Sequence, residues 1–122
     1  MTTKIIGGMA VIESREAIIK DAASAIDLMM TVKYETGCDK IALNKEALIP
    51  EFFILSKQIA GGGLEKFITY QMRLAIYGDF SKYTSKPLKD FIYESNRGKD
   101  IFFVESQELA LRRLGAEQSA GK

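Results

Sequence analysis

Asp79, Ser81, Lys82 and Tyr83 place a carboxylate, a hydroxyl, an ammonium and a phenol directly after the apolar run "LAIYG". A carboxylate at such a junction can hold a ligand hydroxyl or move a proton. Lys82 and Lys86, beside the backbone N–H groups of the helix that Pro87 opens, can face an anion. The same residues also suit a strand turning into a helix, because Gly78 permits the turn and an aspartate there bonds nearby backbone N–H groups. The structural reading of this junction is the favoured one, and the functional reading is its rival. The chain has no histidine. Ser-His-Asp and Cys-His arrangements are therefore excluded, together with imidazole metal ligands. One cysteine with carboxylates makes a poor zinc site, so neither a catalytic set, a metal nor a cofactor is expected.

The elements that must position these groups follow from apolar periodicity. "TKII" and "MAVIES" read as strands joined by Gly7-Gly8, a two-residue hairpin signal. The next stretch spaces Ile18, Ala22, Ala25, Ile26, Met29 and Met30 as a helix, with Lys20 and Asp27 toward solvent. Ser14 is the expected cap at its start, and Gly37 fits the left-handed position past its end. "KIALN" is a buried strand, and residues 44–49 are a loop before a helix that Pro50 opens. That helix carries Phe52, Phe53, Leu55, Ile59, Leu64, Phe67 and Ile68 and is interrupted by Gly61-Gly62-Gly63. "MRLAIYG" is the clearest strand. "SKPLKDFIYESNRG" is a third helix capped by Thr84 or Ser85 and ended by Gly98, "IFFVES" a last strand and "SQELALRRLG" a closing helix. The fold class is α/β: one domain over residues 1–115 in the order β-β-α-β-α-β-α-β-α, a mostly parallel mixed sheet flanked by helices. Residues 116–122 are expected to form a mobile tail.

In such sheets ligands bind beyond the carboxyl ends of parallel strands. That rule gathers Glu13, Ser14 and Arg15, then Asn44 and Lys45, then Asp79, Ser81, Lys82 and Tyr83, and finally Glu105 and Ser106 on one polar rim. Other motifs carry less. "GGGLEKF" lacks the Gly-Lys-Ser/Thr ending of a P-loop and follows helix rather than strand, so close packing or a kink is the better account. Cys38 has no activating partner and an acidic neighbour, and is read as structural. In "YESNRG", Arg97 suits the end of a helix and Gly98 its cap, while Glu94 and Asn96 are left open as partner contacts.

Composition bounds the rest. The 122 residues, 47% hydrophobic, fit one core. With 17 basic against 16 acidic residues there is no broad footprint for nucleic acid or an anionic membrane surface. No apolar stretch approaches the roughly 20 residues that cross a bilayer. The N-terminal stretch lacks the apolar core and cleavage site of a signal peptide, so a cytoplasmic location is expected.

Three stretches, "YETGCDKIALNK", "EFFILSKQIAGGGLEKFITYQMRLAIYGDFS" and "LKDFIYESNRGKDIFF", resemble a small bacterial family recorded only as a domain of unknown function. That resemblance implies no activity. The element order is similar to the STAS domain, named for sulfate transporters and anti-sigma-factor antagonists, which implies partner docking at one end of the sheet. Those antagonists carry a phosphorylatable Ser or Thr at the start of the helix after the third strand. "NKEALIPEFF" has no hydroxyl residue there, and Ser56 lies further inside the helix. A phosphoserine switch is therefore not expected.

Two readings follow. The first is a non-catalytic STAS-like regulatory or protein-interaction module with an unidentified protein partner. The second is a protein that binds, or acts on, a nucleotide or other small anionic metabolite. Both use the same rim, with Asp79, Ser81, Lys82, Tyr83, Asn44, Lys45 and Glu13 as its contact residues. Self-association through an apolar helix face is compatible with either.

Overall fold

The computed structural model describes residues 2–53 and 56–120, the latter without the side chains of 56–62 and 116–120. Its elements are β1 (Thr2–Ile6), β2 (Met9–Glu13), α1 (Ala22–Thr36), β3 (Lys40–Asn44), α2 (Ser56–Thr69), β4 (Arg73–Tyr77), α3 (Lys86–Arg97), β5 (Ile101–Val104) and α4 (Gln107–Ala120). The strands lie in the order 1-2-3-4-5. β1 pairs antiparallel with β2 through the hairpin at Gly7-Gly8, both at positive φ. β2, β3, β4 and β5 all run parallel. The α/β class and element order expected from sequence are those observed.

Because each parallel crossover steps one strand in the same direction, right-handed connections bring α1, α2 and α3 onto one face. Strand alternation shows the result. Ala10, Ile12, Ile41, Leu43, Leu74, Ile76, Ile101 and Phe103 join the core under those helices. Val11, Ala42, Ala75, Tyr77 and Phe102 face the other way, where α4 lays Ala110 and Leu114 against them. The alanines at the middle of β3 and β4 are fully buried and let α4 sit close to the sheet. Phe52, Phe53, Phe67, Phe102 and Phe103 are buried and Phe91 is partly so, as expected of core aromatics.

Four boundaries differ from expectation. Ser14 does not cap α1. Ile18 and Ile19 instead run extended beside 47–49, where both N–H groups donate to the Ala47 carbonyl and Ile49 N–H donates to Ile19. Burial of Ile19 outweighs the helical spacing, and α1 starts at Asp21, whose carboxylate accepts from Ser24 N–H while Ser24 Oγ accepts from Asp21 N–H. Leu28 and Val32 are then buried, and Met30 is 45% exposed. Pro50 opens a separate 3-10 turn, Pro50–Phe53, ahead of α2. α2 spans the three glycines without a break. Gly63 lies in ordinary contact range of Asp21 and Ile19, while the surroundings of Gly61 and Gly62 and the side chains of Leu55, Ser56 and Ile59 lie outside the described residues. β5 ends at Val104, and Ser106 caps α4 by accepting from Leu109 N–H. The backbone of 116–120 continues α4, and residues 121–122 lie outside the description. Gly37 adopts the left-handed C-cap as expected, and Cys38 is buried beside it.

The β5 edge is closed by a side chain. Leu74 N–H donates to Asp100 O and Gly78 N–H to Val104 O, so the peptide groups of Phe103 between them point away from β4. Asn96 of α3 meets both: its Oδ1 accepts from Phe103 N–H at 2.7 Å and its Nδ2 donates to Phe103 O at 3.0 Å. Arg113 donates to the Asn96 carbonyl at 2.6 Å, its guanidinium 4.3 Å from the Phe102 ring centre. Asn96→Ala leaves two peptide groups without these partners and is expected to cost about 2 kcal/mol. Hydrogen exchange checks the assignment: the Phe103 amide should lose more protection than the amides of β3.

Candidate functional site

The parallel register aligns the C-terminal ends of β2, β3, β4 and β5, so the rim expected from sequence exists as one edge. Its frame is the Asn44 side chain. Ser14 N–H donates to Asn44 Oδ1 at 2.8 Å, and Asn44 Nδ2 donates to Ser14 O at 2.7 Å and to Glu46 Oε1 at 3.2 Å. These bonds extend the β2–β3 pairing one step past the strands. Ser14 Oγ is turned back on its own chain through Glu16. Asn44 and Ser14 are both buried, and their hydrogen-bonding groups are committed to the frame.

The junction after β4 is tied similarly. Asp79 Oδ1 accepts from Ser81 N–H at 2.9 Å and from Ser81 Oγ at 2.7 Å. The Ser81 hydroxyl, then its N–H, holds the Asp79 carboxyl below its usual range, and the Lys45 and Lys82 charges add to this. Lys45 Nζ donates to the Asp79 carbonyl at 2.8 Å. The stem of Lys45 crosses so close to Gly78 that a Cβ there would stand 2.8 Å from Lys45 Cβ, with φ at +156°. The glycine is required by that crossing.

Around this frame lie two open depressions. One, of about 640 Å³, is lined by Thr2, Glu13, Ser14, Arg15, Glu16, Asn44 and Glu46. It is mostly acidic. Tyr77 lies buried on the α4 face of the same sheet end, its hydroxyl accepting from Gln107 Nε2 at 3.2 Å. The second depression, of about 410 Å³, has Arg15, Lys45, Lys82 and Tyr83 over the apolar groups of Leu48, Pro50 and Phe53. It is mostly basic. Phe53 stacks on Tyr83 with ring centres 4.7 Å apart, and the ammoniums of Lys45 and Lys82 lie 5.1 and 5.6 Å from the Tyr83 centre. Arg15 and Glu46 border both depressions.

Of the sequence-derived set, Glu13 and Asn44 thus line the acidic side and Lys45, Lys82 and Tyr83 the basic side, while Asp79 and Ser81 line neither. Ser106 is engaged in capping α4 and Glu105 is exposed outside both. Sequence reasoning missed Glu16 and Glu46, which flank chosen residues, and Phe53, whose partner in the stack lies 30 positions away. Among the described residues no group of three or more His, Cys, Asp or Glu is placed to hold a metal ion, and no helix is long and apolar enough to cross a membrane.

Two measurements follow. Gly78→Ala is expected to destabilise by about 1–3 kcal/mol in denaturant unfolding. In a double-mutant cycle Lys45→Gly should recover part of that loss and Lys45→Ala should not, since alanine retains the offending Cβ. Burial, opposed by the Gln107 hydrogen bond and supported by the Glu13 and Glu46 charges, pushes Tyr77 above its ordinary 10.0. The folded state therefore keeps this proton where the unfolded chain has released it. The stabilisation is complete below the unfolded value and disappears as pH rises through the folded one. Melting temperatures should fall more steeply above pH 10.0 in the native chain than in Tyr77→Phe.

A family model described as "Domain of unknown function (DUF4180)" matches residues 7–114, from the hairpin turn into α4. No curated protein and no solved structure matches the chain. The matched span includes every strand end of the parallel sheet and both depressions except Thr2. The chain belongs to this family of unknown function.

Proposed function

We propose that this protein is a non-catalytic recognition module of STAS-like form that docks a protein partner on the rim at the carboxyl ends of its parallel strands. The observation that carries this reading is the adjacency of two open depressions of opposite charge along one sheet edge. Such a surface offers a partner both orientation and charge selectivity. The state of Asp79 favours recognition over proton transfer. A carboxylate held ionised by two hydrogen bonds is a weak base at neutral pH. The hydroxyl of Ser14 is likewise engaged with its own backbone rather than with a base.

The test is affinity capture from the producing cell with three baits: the native chain, Asp79→Asn combined with Lys82→Glu, and Lys99→Glu at the opposite end of the sheet. Asp79, Lys82 and Lys99 are all exposed, and Asp79→Asn keeps an acceptor for Ser81, so both variant baits should remain folded, which thermal melting checks. A partner retained by the first and third baits and lost from the second supports docking at the rim. Equal capture by all three, or loss only with Lys99→Glu, overturns it.

A further inference from the structure

The basic depression has a feature that partner docking does not require. Lys45 and Lys82 come from different loops, after β3 and after β4, yet both ammoniums approach one ring, that of Tyr83. Phe53 occupies one face of that ring, which restricts the space left to the two charges. Among the described residues neither ammonium has a carboxylate within ion-pair distance. Lys45 is held by a neutral carbonyl, that of Asp79, and the Asp79 carboxylate is engaged with Ser81. Glu46, the acidic group on the wall, accepts through Oε1 from Asn44. Arg15 adds a third cation to the lining. Like charges brought together without a neutralising pair create a local positive potential, which an anion between them would relieve.

The remaining walls define the rest of a ligand. Leu48, Pro50 and Phe53 give the depression an apolar side, and about 410 Å³ is room for a ring-sized body. The cation–π contacts place the positive charge next to that apolar side rather than apart from it. We propose that this cavity is a binding site for a small oxyanion, a phosphate ester or carboxylate, carried on a flat apolar body. The anion sits between Lys45 and Lys82, with Arg15 a further cation on the same lining, and the flat body lies along Leu48, Pro50 and Phe53. This site stands whether or not a protein docks on the rim.

Phenyl phosphate, benzoate, inorganic phosphate and benzyl alcohol separate the contributions in a calorimetric or NMR titration of the full chain. The aromatic anions should saturate at one site, with resonances of Tyr83 and Lys82 moving. Inorganic phosphate should bind about tenfold more weakly, and benzyl alcohol more weakly still. Lys82→Met should weaken phenyl phosphate about tenfold. Lys82 is exposed, so this change tests charge without disturbing the Lys45 contact to Asp79. Asp79→Asn retains an acceptor for Ser81 while removing the nearby negative charge, and should tighten phenyl phosphate by about threefold at low salt. No saturable binding of either aromatic anion, or affinity unchanged in Lys82→Met, overturns the proposal.

Discussion

The hydrogen bonds between the Asn44 side chain and the Ser14 backbone set the geometry of the rim. β2 and β3 stop pairing at this point, and a side-chain amide supplies the next donor and acceptor, at 2.7 and 2.8 Å. The chain after β2 is thereby held against the chain after β3 long enough for Ile19 to bridge to Leu48. That bridge fixes the relative position of the 15–20 and 45–50 segments, which wall both depressions. Each bond contributes on the order of 1 kcal/mol net, but an unsatisfied buried peptide group would cost more than that. The Asn44 clamp and the backbone bonds of Ile18, Ile19 and Ile49 together hold the segments that carry Arg15 and Glu46.

Asn96 applies the same device to the far edge. There the amide covers the outward peptide groups of Phe103, and Arg113 locks the amide's own backbone. The β1 edge is treated differently: all five of its residues are exposed, with Lys4 at the centre. A lysine on an open edge discourages pairing with another strand, since its charge would be forced against a neighbour. The sheet thus ends in a covered edge on one side and a charged edge on the other. The open depressions lie between these edges, at the ends of the parallel strands.

Much of this was readable beforehand. The runs "MAVIES", "KIALN", "MRLAIYG" and "IFFVES" are short and apolar enough to read as strands, and their alternation with helical spacing implies a mostly parallel order. The rim residues follow from that order, because parallel strands in register must bring their ends together. The start of α1 was not readable from Ser14. Ile18 and Ile19 satisfy a helical period locally, and only the distant 47–49 segment makes extension better. The signal for the true start was Asp21 with Ser24, a reciprocal cap. The Phe53–Tyr83 stack had no local signature at all, since each ring reads separately as core or surface. Asn96 was visible only as part of a helix exit, and its partner is a peptide group, which sequence does not distinguish.

The junction at Asp79 illustrates why residue type alone misleads about roles. Asp79 supplies the conspicuous carboxylate, but Ser81 engages it, and what the neighbouring chain uses is its carbonyl. The Lys45 stem can reach that carbonyl only because position 78 has no side chain. Gly78 and Asp79 therefore place the Lys45 ammonium beside the Tyr83 ring. Arg15 and Glu46 border both depressions, which links the two halves electrostatically. A unit charge settling in one half lies within about a Debye length, roughly 10 Å, of groups lining the other. At the high effective dielectric of an open surface this coupling amounts to about 1 kcal/mol or less. That is enough to bias which charged groups occupy the rim together, and too little to reshape the sheet that holds them.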